Sequence, residues 1–167
     1  MDLAIRVGVL EDSSLVARPI AHVARGLYAA PEYLVQAPAL ETPADLQAHR
    51  YLGLLHRHDP LSFENWSAPT PQPAETPLRT NSLNFMRHMA GRGFGIVRLP
   101  RFYAEPLIET GRLRPVLSDY PVPSVALSAL YPSRRHLNQR TRLFVDHLIR
   151  ELQDHPWASR GLIRLPG

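Results

Sequence analysis

The 167-residue chain contains no cysteine and no lysine, and its apolar residues come in short clusters, none long enough to span a bilayer. Without cysteine there is no disulfide framework, no thiolate zinc site and no cysteine nucleophile, so the fold must hold by packing. The opening Met1-Asp2-Leu3-Ala4-Ile5-Arg6 lacks the basic-then-apolar pattern of a secretory signal, and a cytoplasmic location is expected. With no lysine, all 19 basic residues are arginine; set against 15 acids they leave a net charge of +4. Together with 17 prolines, this points to GC-rich coding. A basic excess raises a nucleic-acid reading, because clustered cations neutralise phosphates. The arginines are instead scattered from Arg6 to Arg164. The densest group, Arg134-Arg135-His136 with Arg140 and Arg142, lies just before and within a helical pattern, where a solvated face accounts for it. No direct DNA binding by this chain is expected.

What is present reads as short strands alternating with helices. Residues 2–9 suit a buried strand, and Glu11-Asp12-Ser13-Ser14 a turn. Leu15 to Ala30 reads as two extended segments with a kink at Pro19, which has no ladder N–H to give. Short helices are expected from Pro31 and from Pro43, the latter capped by Thr42. A strand over Tyr51–Leu55 is followed by a proline-rich loop from Ser67 to Pro77, with Phe63 and Trp66 packed beside it. Leu78-Arg79-Thr80 is a strand, and Asn81-Ser82 caps a helix with Phe85, Met86, Met89 and Ala90 on one face. Gly91, Gly93 and Gly95 end that helix. There follow a strand over Ile96–Leu99, a helix from Phe102 to Ile108, and strands over Leu113–Leu117 and Val125–Tyr131. A final helix runs from about Asn138 to Gln153, with Phe144, Leu148 and Leu152 in register beside Val145 and Ile149. The tail beyond Asp154 carries no clear pattern.

This order is an α/β pattern, and two extended connectors, around Pro19 and from Tyr120 to Pro123, divide it into two lobes. Two-lobed α/β proteins hold ligands near strand ends and helix starts, and can close over them. The Asn81-Ser82-Leu83 helix start is the best anion contact by local chemistry, since unpaired backbone N–H groups and the helix dipole favour a carboxylate or phosphate. An ordinary helix cap explains the same residues. His56-Arg57-His58-Asp59 has metal-ligand residue types, but a polar loop after a strand explains it, and no second ligand cluster has motif spacing. No metal or other cofactor is implied. No Gly-x-Ser-x-Gly elbow, P-loop or paired-carboxylate motif gathers the serines, histidines and aspartates into a catalytic group, and none is assigned.

Several segments also match one family in order. Asp2-Leu3-Ala4-Ile5-Arg6 with Asp12-Ser13-Ser14-Leu15, Leu27-Tyr28-Ala29-Ala30-Pro31-Glu32-Tyr33-Leu34, Thr42-Pro43-Ala44-Asp45-Leu46, and Ala90-Gly91 through Leu99-Pro100 carry the match. Tyr131-Pro132-Ser133-Arg134-Arg135-His136-Leu137 adds to it. Over roughly residues 2–152 the chain resembles the effector-binding domain of the LysR-type transcriptional regulators of bacteria. The resemblance implies a periplasmic-binding-protein-like fold of type 2 and a non-enzymatic role, sensing a small molecule, such as an organic acid, between lobes. It also implies that a helix-turn-helix, a linker helix and the first part of lobe one belong to such regulators but not to this stretch. Residues 1–22 and 124–153 would be a partial lobe one, 23–123 a complete lobe two, and 154–167 a C-terminal tail.

By the same mapping, Arg6-Val7-Gly8, Leu55-His56, Leu99-Pro100 and Asn81-Ser82-Leu83 should line the cleft, with Phe63 near its mouth. Arg6 can grip a carboxylate through two parallel hydrogen bonds, and serves equally as a surface arginine. Beside effector sensing stand two other readings, a stand-alone ligand-binding or dimerisation module and a small α/β enzyme. A partial lobe one should leave apolar edges exposed, so the chain is expected to form a homo-oligomer. Light scattering across micromolar concentrations should show self-association, and a strictly monomeric chain would contradict this expectation.

Overall fold

The computed structural model describes residues 3–8, 15–55, 60–69, 73, 75–132 and 139–166. The first regular elements are β1 (Ala4–Val7), β2 (Val16–Val23), β3 (Arg25–Ala29), α1 (Pro31–Gln36), a 3-10 helix (Pro43–Ala48) and β4 (Arg50–Leu54). They are followed by β5 (Glu75–Thr80), α2 (Leu83–Ala90), β6 (Ile96–Pro100), α3 (Arg101–Glu109) and β7 (Arg114–Val116). The last are β8 (Val125–Tyr131), α4 (Gln139–Asp154), α5 (Pro156–Ser159) and β9 (Ile163–Arg164). The chain divides into two compact units, one of Met1–Ala24 with Ser124–Gly167 and one of Arg25–Pro123.

The first unit is built on an antiparallel sheet in the order β1-β8-β2-β9. Of its two interior strands, β8 buries Ser128, Ala129, Leu130 and Tyr131. The β2–β8 ladder slips register between Pro19 and Ala21, where the proline lacks an N–H. From α4, Val145 and Thr141 are buried, and Arg18 on β2 reaches Asp146 at 2.7 Å. Phe144 is half exposed, so it is not part of the buried stripe expected for this helix. At 100° per residue, a face centred on Thr141 and Val145 turns Phe144 outward. Beyond Asp154, where the sequence is unpatterned, the chain forms α5 and β9. Its β9 pairs with β2, the Ala24 N–H donates to the Leu162 carbonyl at 3.0 Å, and Leu162 and Ile163 are buried. Two apolar residues at the right reach are enough to dock it, although they make too short a run to show periodicity.

The second unit is a five-stranded mixed sheet in the order β5-β4-β6-β3-β7. β4 pairs in parallel with both β5 and β6, whereas β3 is antiparallel to β6 and β7. Both faces are covered, so its strands carry apolar residues on both sides. Leu27, Ala29 and Ile96 turn to one face, where Tyr33, Leu46, Phe63 and Leu117 complete a core. Tyr28, Leu52, Val97 and Leu99 turn to the other and meet Met86 and Ala90 of α2 and Ala104 of α3. Phe85, expected on the buried face of α2, is 45% exposed, because Met86 and Ala90, four residues apart, set that face.

Local polar chemistry shapes the segment before β4. The Asp45 carboxylate accepts the Thr42 N–H at 2.8 Å, the Glu41 N–H at 3.0 Å and the Thr42 hydroxyl at 3.1 Å. The Thr42 N–H first, then that of Glu41, hold its pKa below the ordinary 3.8. Gly95 is where the turn after α2 meets β4: at φ +154° a Cβ there would lie 2.6 Å from the Arg50 carbonyl oxygen. Gly95→Ala should therefore cost roughly 2–4 kcal/mol in urea unfolding, through backbone clash rather than lost contact. An unchanged midpoint would show that the turn can move off β4.

Candidate functional site

Because β5, β4 and β6 run parallel, their carboxyl ends emerge along one edge of the second unit's sheet. Leu54 is paired with Thr80, and the Leu55 N–H donates to the Thr80 carbonyl at 3.0 Å, which sets the end of β4 beside the end of β5. Leu99 and Pro100 end β6 at the same edge. Two helices begin there, α2 after Ser82 and α3 after Pro100. Thus Leu55, Asn81, Ser82, Leu83, Leu99 and Pro100, all expected to face a ligand, come from three strand ends that share one edge. In open α/β sheets that edge is where ligands bind.

The start of α2 is the most explicit part of it. Ser82 Oγ accepts the Phe85 N–H at 3.3 Å, and the Ser82 carbonyl accepts the Met86 N–H at 3.0 Å. The Ser82 N–H in turn donates to Thr80 Oγ1 at 3.1 Å. Leu83 and Asn84 precede the first helical hydrogen bond, so their N–H groups project from the helix end, where the dipole favours negative charge. The Ser82 hydroxyl, already an acceptor, still has its own hydrogen to donate. Asn81 is exposed beside it. Thr80, which orients Ser82, was not singled out in the sequence; a hydroxyl residue two positions before a serine cap is the signal that marks it.

Other expected residues are placed differently. Phe63 and Leu99 are buried, at 7% and 0% exposure, in the two cores of the second unit, so their side chains are spent on packing. Pro100 is buried and caps α3. Leu55 is exposed at 39%. In the first unit, Arg6 and Val7 are exposed on β1, and the buried Gly8 donates its N–H to the Ala126 carbonyl at 3.0 Å. His56, with His58 and Asp59, lies outside the described residues, as do Asp12 to Ser14 and Arg134 to His136. Among the described residues, no three His, Cys, Asp or Glu side chains gather as metal ligands would. Among them, too, no helix is long and apolar enough to cross a membrane.

A sheet of this topology, with helix starts and strand ends gathered at one edge, defines an α/β binding domain, and its solved relatives are of the periplasmic-binding-protein-like class. The regulatory domain of CrgA, a LysR-type transcriptional regulator from Neisseria meningitidis, matches with a TM-score of 0.70 at 29% identity, over 90% of this chain and 75% of that one. Residues 1–153 match the LysR substrate binding domain, and the chain belongs to that family. It is 34% identical over 141 residues to an uncharacterized HTH-type transcriptional regulator of Haemophilus influenzae, covering 81% of this chain and 48% of that protein. It is 32% identical over 159 residues to the regulator YhjC of Escherichia coli, covering 92% and 53%. The chain spans about half the length of these curated relatives. It is a regulatory, effector-binding domain of the LysR type.

As a cap, Ser82 has a structural role separable from ligand. Ser82→Ala should lower stability by about 1 kcal/mol in denaturant melts, with Ser82→Asp restoring most of it. Equal stability of all three would mean that the hydroxyl does not cap α2.

Proposed function

We propose that this chain senses a small organic anion on behalf of a bacterial transcription regulator, binding it without turning it over. The anion is held at the carboxyl edge of the second unit's parallel strands. The observation that carries this reading is the start of α2, where Ser82 stands oriented by Thr80 next to the ends of β4 and β6. A carboxylate there accepts the Leu83 and Asn84 N–H groups and the Ser82 hydroxyl, with the Asn81 amide beside them. Leu55 and Pro100 border it through their strand ends. In this reading residues 23–123 are a whole lobe and residues 1–22 with 124–153 part of another, working in the cytoplasm. Ile5 and Val7, 42% and 40% exposed on the terminal strand of its sheet, are the apolar edge that pairing with a second copy would cover.

A thermal-shift screen of small carboxylates, aromatic acids and amino acids, followed by calorimetry, tests the site. A ligand should raise the melting temperature in proportion to the logarithm of its concentration above the dissociation constant. Ser82→Ala should then weaken binding roughly ten- to a hundredfold, the worth of one charge-assisted hydrogen bond. A binder with unchanged affinity for Ser82→Ala would refute the assignment.

A further inference from the structure

At the opposite, amino end of the same strands, Arg50 opens β4 and the Gly91–Gly95 turn leads into β6; the Tyr51–Ile96 register sets these starts side by side. A cavity of about 350 Å³ opens to solvent there, its polar wall made by Arg50, Arg92, Glu32, Gln36 and Tyr33. Its size is at the lower end of small-molecule sites. We propose that it is a second binding site, for a small carboxylic acid of single net negative charge that also carries an ammonium or hydroxyl donor.

The two guanidiniums are positioned but not neutralised. That of Arg50 lies over the Tyr33 ring, 5.3 Å from its centroid, and donates to the Gly93 carbonyl at 3.4 Å. Arg92 Nε donates to His88 Nε2 at 3.1 Å. Each thus spends one of five N–H donors on a neutral acceptor. Among the described residues neither has a carboxylate within ion-pair distance. Two arginines against Glu32 leave one net positive charge, which a ligand carboxylate balances, while Glu32 and Gln36 accept from the ligand's donor.

The wall behind the cavity is held by buried polar bonds. Tyr33 O–H donates to His49 Nδ1 at 3.0 Å and its oxygen accepts the Arg50 N–H at 3.1 Å. His49, 1% exposed, gives its Nε2–H to the Ala39 carbonyl at 3.5 Å. Gly95 lets the turn lie directly on Arg50, and Gly93, at φ +79°, bends it back over Tyr33. Of the glycines that end α2 in the sequence, Gly93 therefore also lines this pocket, and a preformed pocket binds at lower ordering cost. β4 has five residues, so Arg50 and Leu55 are roughly 16 Å apart at about 3.3 Å per residue. The pocket is thus separate from the carboxyl edge, and either site can fail without the other.

Amide NMR titration of the whole chain with L-glutamate, and separately with acetate, tests the proposal. L-glutamate should shift the Ala37, Ala48 and Gly93 amide signals at millimolar concentration and bind more tightly than acetate. Arg50→Gln and Arg92→Gln should each weaken it roughly tenfold. Arg92 is exposed, so its variant keeps the test decisive if Arg50→Gln disturbs the fold. Glu32→Gln should reduce L-glutamate binding while leaving acetate unchanged. Absence of shifts, shifts confined to residues 82–84, or unaltered affinity in Arg92→Gln would overturn the proposal.

Discussion

The parallel placement of β4 between β5 and β6 is the constraint on which the rest of the second unit depends. Parallel neighbours cannot be joined by tight turns, so each connection must run back along the sheet, and a helix is the compact way to do it. α2 makes that return between β5 and β6. Both α2 and α3 consequently start where strands end, at one edge, and their backbone dipoles point the same way there. The Leu55–Thr80 and Ser82–Thr80 hydrogen bonds are local expressions of this geometry. The opposite edge inherits the strand starts, with Arg50 and the glycine turn, and so acquires a different chemistry.

Covering both faces of that sheet determines which side chains remain for binding. Phe63 and Leu99 are large and apolar, and each has a core to fill, on opposite sides of the sheet. What reaches solvent at the carboxyl edge is Asn81, the Ser82 hydroxyl and the first N–H groups of α2, together with the exposed Leu55 side chain. Such a surface offers dipoles and hydrogen-bond donors more than apolar contact.

Much of the strand and helix order could be read from residues 15–131, because short apolar runs are separated there by proline, glycine and capping residues. β8 occupies Val125–Tyr131, as an apolar run broken only by Ser128 indicates, and α1 begins at its proline. Less legible was which side of each amphipathic helix turns inward. Phe85 and Phe144 are the aromatic residues of their helices, yet both are exposed, since Met86 with Ala90, and Thr141 with Val145, fit the adjacent surfaces. The segment ending in β9 was illegible for another reason: its strand forms by pairing with β2, more than a hundred residues earlier in the chain. The helix start at Ser82 was readable as a cap; Thr80 carries a hydroxyl at the right spacing, but the bond between them is made by the bend that leads from β5 into α2.

By itself, the sequence determined the class of the molecule. Periodicity and turn residues dictated an alternating α/β chain, and ordered motifs placed it in the LysR family. The absence of cysteine required that it hold together by packing. Only the tertiary structure decided strand neighbours, and with them the site: nothing in the local sequence states that β4 lies between β5 and β6, since those pairings join segments far apart in the chain. The same holds for Tyr33, His49 and Arg50, whose mutual hydrogen bonds turn three unremarkable positions into the wall of a pocket. Local sequence sets what a residue can do, and long-range pairing sets what it meets.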